Sequence, residues 1–463
     1  MSLLQSLWSE LCAAEGPRTA EPPPDTPERA ARSARARPKR IDFLAHLPHE
    51  LALYTLSLLP SHREVLDAAC VSRTWHRLAS DTTLWRRLFF QNPGWAVRLD
   101  MLAPGTTEAP RTVLPAHPSV HTHWMLLYKG RYELDRRWFA LQTRPPGHAH
   151  SVSFRPSIVR LRGHTDSVYC CCIDDGRRTG HAGYVVSGSR DRTIRVWDSA
   201  TGACVATLRA HHGSVLCLAQ GTGMLVSGSS DATARVWRRS TAADEHYVLE
   251  RVLAGHTAGV LGVAFDETYV VTASRDTTLR VWRRTDGELV RVYGAHRGSV
   301  NTCCLHRGLV ASGAGDGSVH VWRVDTGETL AVMHAPRSGV ASLVLAGDVL
   351  WAGSSDGVIR TWRASTGEYL AEFAAHDKLV RAVAYDAGRQ LLVSGGWDRK
   401  TRLWDVAAPE VHRRGELALE LGMHQARIFD VAIDTTRLIS ACEDHTLWIT
   451  DFGKQGLASH VYA

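Results

Sequence analysis

Gly163-His164-Thr165 and, further along, Ser187-Gly188-Ser189-Arg190-Asp191-Arg192-Thr193-Ile194-Arg195-Val196-Trp197-Asp198 make up one copy of a unit that recurs seven times between His164 and Asp444. Each copy offers a His, an Asp about twenty residues later, and usually a Trp six residues beyond the Asp. The Asp-to-Trp step is fixed in Asp191/Trp197, Asp231/Trp237, Asp276/Trp282, Asp316/Trp322, Asp356/Trp362 and Asp398/Trp404, while the seventh copy, Asp444, has Thr450 in the Trp position. Counting Thr450, these positions lie 40 to 46 residues apart, the period of a four-stranded propeller blade. Around each copy, short alternating stretches such as Val168–Ile173, Tyr184–Ser189, Thr193–Asp198 and Val205–Arg209 read as strands separated by turn residues. Most of the chain is therefore expected to be a repetitive β structure of the kind that presents a recognition surface.

The remainder is organised differently. Residues 1–40 run from a short apolar start into a Pro/Ala/Arg-rich stretch with little to bury, which is expected to be disordered. Within it Arg29, Arg32, Arg35, Arg37, Lys39 and Arg40 form a basic run that reads as a solvated linker, with nuclear import or an acidic partner as the alternative. Residues 41–92 are compact and helical in period. Pro48 suits a first helical turn; Leu51, Tyr54, Leu58 and Leu59 follow at helix spacing; Pro60-Ser61 ends that helix; a second carries Val65, Leu66, Ala69 and Cys70; and Asp81-Thr82 can cap a third that holds Leu84, Trp85, Leu88 and Phe89. Fifty residues make a marginal free-standing core, so helices this apolar are expected to seek a partner surface. Residues 93–157 read as a connector, with helical character from His123 to Leu141 and the part of a rigid spacer. Residues 158–463 are expected to form the repeat domain and a short tail.

Composition narrows the function. A chain of 463 residues with 44% hydrophobic content is globular, and a net charge of +7 is too modest at this length to imply nucleic-acid binding. Ten Cys without paired zinc spacing, some of them consecutive on expected strands (Cys170 to Cys172, Cys303 and Cys304), read as small core residues in a reducing compartment. No stretch has the length and apolarity of a membrane span or a signal peptide, so a cytosolic or nuclear protein is expected. His117, His121 and His123 have no acid or Cys nearby, so neither a metal nor any other cofactor is expected.

The repeat resembles WD-repeat propellers from Ile158 to Phe452, which implies seven blades, each pinned by hydrogen bonds among its His, Ser/Thr, Asp and Trp. Complete sets are His164/Ser187/Asp191/Trp197, His211/Ser227/Asp231/Trp237, His256/Thr272/Asp276/Trp282, His296/Ser312/Asp316/Trp322 and His376/Ser394/Asp398/Trp404. A hydrolytic Ser/His/Asp triad occurs once with an exposed nucleophile, not five times at a fixed period, so these groups read as scaffolding. The fifth repeat lacks both the His (Pro336 stands there, with His334 two residues away) and the Ser (Ala352), and the seventh lacks the Trp; blades five and seven are expected to be the softer ones. The strand Ile158–Arg162 precedes every complete blade and is expected to close the ring on Ile428–Phe452.

Ahead of the repeat, Leu47-Pro48-His49-Glu50-Leu51, Cys70-Val71-Ser72-Arg73-Thr74-Trp75 and Leu84-Trp85-Arg86-Arg87-Leu88 resemble an F-box, and the order F-box, connector, WD repeats is similar to the F-box/WD-repeat family. The fold class expected is thus mainly β: a seven-bladed WD-repeat β-propeller preceded by a small all-α F-box domain and a helical linker. The resemblance implies a non-catalytic substrate receptor of a Skp adaptor–cullin–F-box ubiquitin ligase. Leu47, Pro48, Leu51, Leu59, Val65, Leu66, Val71 and Trp75 would dock the Skp adaptor, and the propeller would hold a protein substrate, phosphorylated or not. A scaffold that binds the adaptor without directing degradation is the second reading; an enzyme using the propeller channel has no residue constellation in its favour. Propeller ligands meet the face carrying the residue after the Val/Ile of each first strand and the residue before each Asp. There Tyr169, Arg190, Arg381, Trp397 and Phe429 fall on blades six, seven and one, with Arg275 on blade three. This composition suggests a mixed aromatic and cationic site, and Glu443 among these residues argues for at most one phosphate contact.

Overall fold

The computed structural model of the chain describes residues 43–59, 62–92, 95, 124–139, 156–174, 183–221, 223–240, 246–335, 338–406, 416–422 and 424–453. The basic run, Pro60-Ser61, Pro336 and His117, His121 and His123 lie outside these residues. The chain divides into two compact units, a helical one and a β one.

The helical unit begins with a 3-10 turn, Phe43–His46, and continues as α1 (His49–Ser57), α2 (His62–Ala69), α3 (Arg73–Ala79) and α4 (Thr82–Gln91). Pro48 precedes α1, where its missing N–H costs nothing. Ser72 caps α3 by accepting from the Trp75 N–H at 3.3 Å, and Asp81 caps α4 by accepting from Thr83 N–H at 2.8 Å. The helix α3 is absent from the sequence reading, which ran Cys70 to Trp75 together as one block; Ser72 was the capping signal that marks it. Leu56, Val65, Leu66, Leu78, Leu84, Trp85, Leu88 and Phe89 are buried, and the Trp85 indole donates to Ala79 O at 2.7 Å. A further helix, α5 (Trp124–Phe139), supplies part of the partner surface that these helices were expected to seek. Tyr128 meets the Trp85 ring edge-on at 5.2 Å, and Trp124 meets Phe89 at 5.6 Å. No helix among the described residues is long and apolar enough to cross a membrane.

The β unit, which takes in Leu134–Arg144 and Phe154–His460, contains seven four-stranded antiparallel sheets. Blade one is Val168–Asp174, Tyr184–Ser189, Ile194–Asp198 and Cys204–Leu208, close to the boundaries read from sequence. First strands of successive blades pack side by side around the ring, the seventh against the first. Closure follows the expected register: Ser157–Arg162 pairs with Thr446–Asp451, so blade seven is built from both ends of the repeat region. The last turn of α5 belongs to this unit, with the Trp138 ring stacked on Phe452 at 3.7 Å and its indole donating to Thr435 O at 3.2 Å.

Between blades the apolar residues interdigitate, for example Leu161, Val168, Val185 and Trp197 with Ile439, Leu447 and Ile449. Each of these is at most 1% exposed. Burying such a side chain contributes about 1.5–3 kcal/mol, so the inter-blade seams hold the ring.

Candidate functional site

The repeat residues explain how each blade turns. In all seven, one oxygen of the Asp accepts the backbone N–H two residues on, from Thr193, Thr233, Thr278, Ser318, Val358, Lys400 and Thr446. The residue between them sits in the left-handed region, including the non-glycines Arg192, Ala232, Thr277, Arg399 and His445. That conformation costs a side-chain-bearing residue about 1–2 kcal/mol, which the carboxylate offsets. Blades four and five place Gly317 and Gly357 there instead; a Cβ on Gly357 would lie 2.1 Å from His376 O.

A contact from the carboxylate to the His completes the network, through the other oxygen in blades one, two and three and through the same oxygen in blade six. His164, His211, His256 and His376 each place Nδ1 2.8–2.9 Å from their Asp and Nε2 2.8 Å from their Ser or Thr hydroxyl. The same hydroxyl accepts from the Trp indole in blades one, two, three and six. Desolvation lowers the pKa of His164, His211 and His256 despite the adjacent carboxylates. Asp191 and Asp231 are held well below the usual carboxylate range, because hydrogen bonds from the imidazole, the hydroxyl and the turn amide outweigh burial. These groups are buried and mutually satisfied, which suits scaffolding and leaves no exposed nucleophile.

Blades five and seven depart in ways the sequence reading did not foresee. In blade five Asp356 keeps partners: Arg360 donates at 2.8 Å and Ser338 at 3.1 Å. An Arg stands four residues after the Asp in five of the seven repeats, so its availability was visible in the sequence. In blade seven the indole is displaced by two residues. Trp448 keeps the same strand parity as Thr450, its ring lies 5.6 Å from His424, and the Arg160 guanidinium lies over it at 5.3 Å.

The face chosen from sequence has a specific backbone origin. Every first strand carries a β-bulge, and the residue it removes from the ladder is Tyr169, Leu216, Leu261, Asn301, Ala341, Arg381 or Phe429. A bulge re-aims a side chain, so these seven are freed from pairing together. They reach toward neighbouring blades around the mouth of the central channel. Asn301 Nδ2 donates to Val340 O at 2.8 Å, Arg381 Nη1 to Ala341 O at 3.4 Å, and the Tyr169 and Phe429 rings meet edge-on at 5.0 Å. Arg381 is thus half-buried, not the free surface cation expected, and its charge faces Asp430. Asp430 keeps some exposed surface but is closely surrounded by protein, and that burial pushes its pKa up to about 6 against the opposing pull of the Cys171 N–H and Arg381.

Of the remaining residues, Arg190 is exposed with its Nε 3.7 Å from Asp166, and Arg275 stands apart on blade three. Trp397 is half-buried beneath a cation that the sequence reading missed: the Arg427 guanidinium lies 4.7 Å over its ring. Arg427 precedes Ile428, two places before Phe429, the position considered in that strand. Glu443, 3.9 Å from Arg427, is partly neutralised by it. The structure therefore brings Tyr169, Phe429, Trp397, Arg427 and Arg190 to adjacent blades and leaves Arg275 outside that group.

On the helical unit, the eight residues expected to dock an adaptor divide by exposure. Pro48, Leu51 and Val71 are exposed, Leu47, Leu59 and Trp75 are half-buried, and Val65 and Leu66 are 0% and 3% exposed. Val65 and Leu66 are interior residues that set the position of α2, a correction to their expected contact role. The exposed stripe instead includes Tyr54 and Leu58, which follow Leu51 on α1 at helical spacing.

Comparison with known proteins agrees with this anatomy. A family model described as F-box-like matches residues 44–91, and one described as WD domain, G-beta repeat matches 155–198, 202–238, 247–283, 287–323 and 367–405. The WD stretches omit the Asp356 and Asp444 repeats, the two that depart chemically. Among curated proteins, the chain is 30% identical over 175 residues to F-box/WD repeat-containing protein 7 of Drosophila melanogaster, covering 38% of this chain and 11% of that one. It is 29% identical over 185 residues to "Probable E3 ubiquitin ligase complex SCF subunit sconB" of Arthroderma otae (36% and 24%), and 25% identical over 211 residues to "Cell division control protein 4" of Saccharomyces cerevisiae (38% and 25%). The matched part is thus a quarter or less of these relatives. The solved structures titled "Structure of U3-55K" and "Crystal structure of RRP9 WD40 repeats" align with TM-scores of 0.57 and 0.58 at 19% identity, over 64% of this chain and 98% and 99% of theirs, which shows the propeller fold alone. The chain carries an F-box-like region followed by WD40 repeats, and F-box/WD proteins are among its homologues.

Proposed function

We propose that this protein is a non-catalytic substrate receptor of an SCF-type ubiquitin ligase, its helical unit binding a Skp adaptor and through it a cullin, its propeller binding the protein to be modified. The observation that carries this reading is the exposed apolar stripe of Pro48, Leu51, Tyr54, Leu58 and Val71 on an F-box-like unit whose own interior is already filled. An apolar face of this kind on a small domain is a contact surface. The blade His, Ser and Asp side chains are occupied with one another, which supports a binding role over catalysis. Rate enhancement would come from holding a substrate lysine at high local concentration beside the charged conjugating enzyme.

The substrate would meet the channel mouth between blades six, seven and one. The Tyr169/Phe429 pair offers apolar area, and Arg190 and Arg427 offer charge, each tempered by a nearby acid. That balance favours a peptide with an apolar anchor and at most one phosphate.

Co-purification tests the reading. The wild-type chain should recover both adaptor and cullin, and the double variant Leu51→Asp, Val71→Asp should lose both while its propeller stays folded, since both side chains are exposed. Recovery of the adaptor without cullin would favour a scaffold that does not direct degradation. Unchanged recovery by the double variant would remove the docking face from consideration.

A further inference from the structure

Blade seven differs from the others in leaving donor atoms turned toward one another with nothing between them. In blades one, two, three and six the His Nδ1 is engaged by the Asp, and in blade four Ser318 takes His296 Nδ1 at 2.8 Å where Asp316 stands off at 4.0 Å. In blade seven Asp444 also stands 4.0 Å from His424 Nδ1, but no hydroxyl fills the place. That nitrogen is buried without a hydrogen-bond partner on a side chain only 1% exposed. Native proteins rarely leave such a group unmatched. The ring is not free to turn away, because Nε2 is held by the Ser440 hydroxyl at 2.6 Å.

A second departure lies beside it. Two residues before the Asp, the repeats carry Ser189, Ser229, Ser274, Ala314, Ser354 and Gly396, and only the seventh has a thiol, Cys442. A ring nitrogen of His424, the Cys442 sulfur and a carboxylate oxygen of Asp444 all lie within 4.8 Å of one another. They come from residues 18 and 20 positions apart from His424 in the sequence, so no short spacing announces them.

We propose that His424, Cys442 and Asp444 form a zinc site within blade seven, with a water in the fourth position. The donor set of one imidazole nitrogen, one sulfur and one carboxylate oxygen suits this borderline-soft dication. The supporting contacts suit it as well. Ser440 fixes the imidazole, and the Thr446 N–H and hydroxyl both engage Asp444 Oδ1, leaving Oδ2 toward His424. Arg160, whose Nη2 is 3.6 Å from Asp444 Oδ2, faces the same carboxylate. One dication with one thiolate and one carboxylate sums to zero, against −1 for the empty site with its thiol protonated, so binding raises by one the charge that this guanidinium faces. The Cys442 thiol gives up its proton to solvent as the zinc–sulfur bond forms, so binding strengthens as pH rises. The metal would tie the segment entering blade seven to the turn at which the ring closes.

Cobalt(II) substitution on the purified, chelator-treated full chain tests the site. The wild type should bind one cobalt per chain with a thiolate-to-cobalt charge-transfer absorption that zinc bleaches, and zinc should raise its thermal midpoint. Cys442→Ser restores the residue present at this position in four other blades, so it should fold, and should lose both the absorption and the zinc-dependent stabilisation. Asp444→Asn should weaken zinc binding at least as much as the ~10–100-fold that loss of an outer partner costs. No charge-transfer band in the wild type, a band that survives in Cys442→Ser, or an equal zinc shift in both chains would overturn the proposal.

Discussion

Replacing Ser187 by Ala tests whether the blade hydroxyl is structural in the way its contacts require. Ser187 is fully buried, and its Oγ serves both His164 Nε2 and Trp197 Nε1 at 2.8 Å. Removing it strands two buried polar groups at once, each worth about 1–3 kcal/mol when left unmatched, so a loss of about 2–6 kcal/mol is expected. The structure supplies its own control. Blade three has Thr272 in the same place, bonded to His256 and Trp282 at 2.8 and 2.9 Å, so Ser187→Thr should stay within about 1 kcal/mol of wild type. Urea unfolding of the full chain followed by tryptophan fluorescence reads the difference, and hydrogen exchange at Tyr184–Ser189 reads it locally should the ring not unfold as one unit. A loss below about 0.5 kcal/mol for the Ala variant, or a Thr variant as damaged as the Ala one, would refute the reasoning.

Two further outcomes follow from the same network. Arg360→Ala should destabilise blade five by about 1–3 kcal/mol, seen as faster exchange at Val358–Arg363, because Asp356 loses its charged donor and keeps only the Ser338 hydroxyl and the Val358 N–H. Acidification should weaken the propeller between about pH 7 and 4: His164, His211 and His256 have folded pKa values lowered by burial, and His296 is lowered to about 4, so the unfolded chain takes up protons first and stability falls with pH. For His296 that amounts to at most about 3 kcal/mol, and a thermal midpoint flat across this range would contradict it.

Much of this architecture was legible because its signals are periodic. The Asp that anchors each turn, the His and hydroxyl beside it, and the early strand that closes the ring were read from spacing, and the structure places them as that spacing requires except in blade four. There His296 Nδ1 pairs with Ser318, Asp316 stands 4.0 Å away and the Trp322 indole N–H has no hydrogen-bond partner. What was not legible depended on substitution across types. Arg360 takes over from a missing His, and Trp448 stands beside His424 two residues before the missing Trp, on the same strand face but with its indole N–H unbonded. Exposure was the other hidden quantity: Val65 and Leu66 look like Leu51 and Val71 in sequence, yet helical phase turns the first pair inward. At the channel mouth the bulge positions were found by register, whereas Arg427 was missed because its role arises from lying over Trp397.

The pairing of Ser157–Arg162 with Thr446–Asp451 also sets a timetable for the newly made chain. The first strand to leave the ribosome is one of the last to find its neighbour, since everything between Arg162 and Thr446 must be synthesised before its partner exists. At ordinary rates of translation that wait is on the order of tens of seconds, during which a strand bearing Ile158, Val159 and Leu161 goes unpaired. A chain interrupted before Thr446 never ends that wait. Six blades can form behind it, but the ring stays open, and the exposed strand labels the product as unfinished.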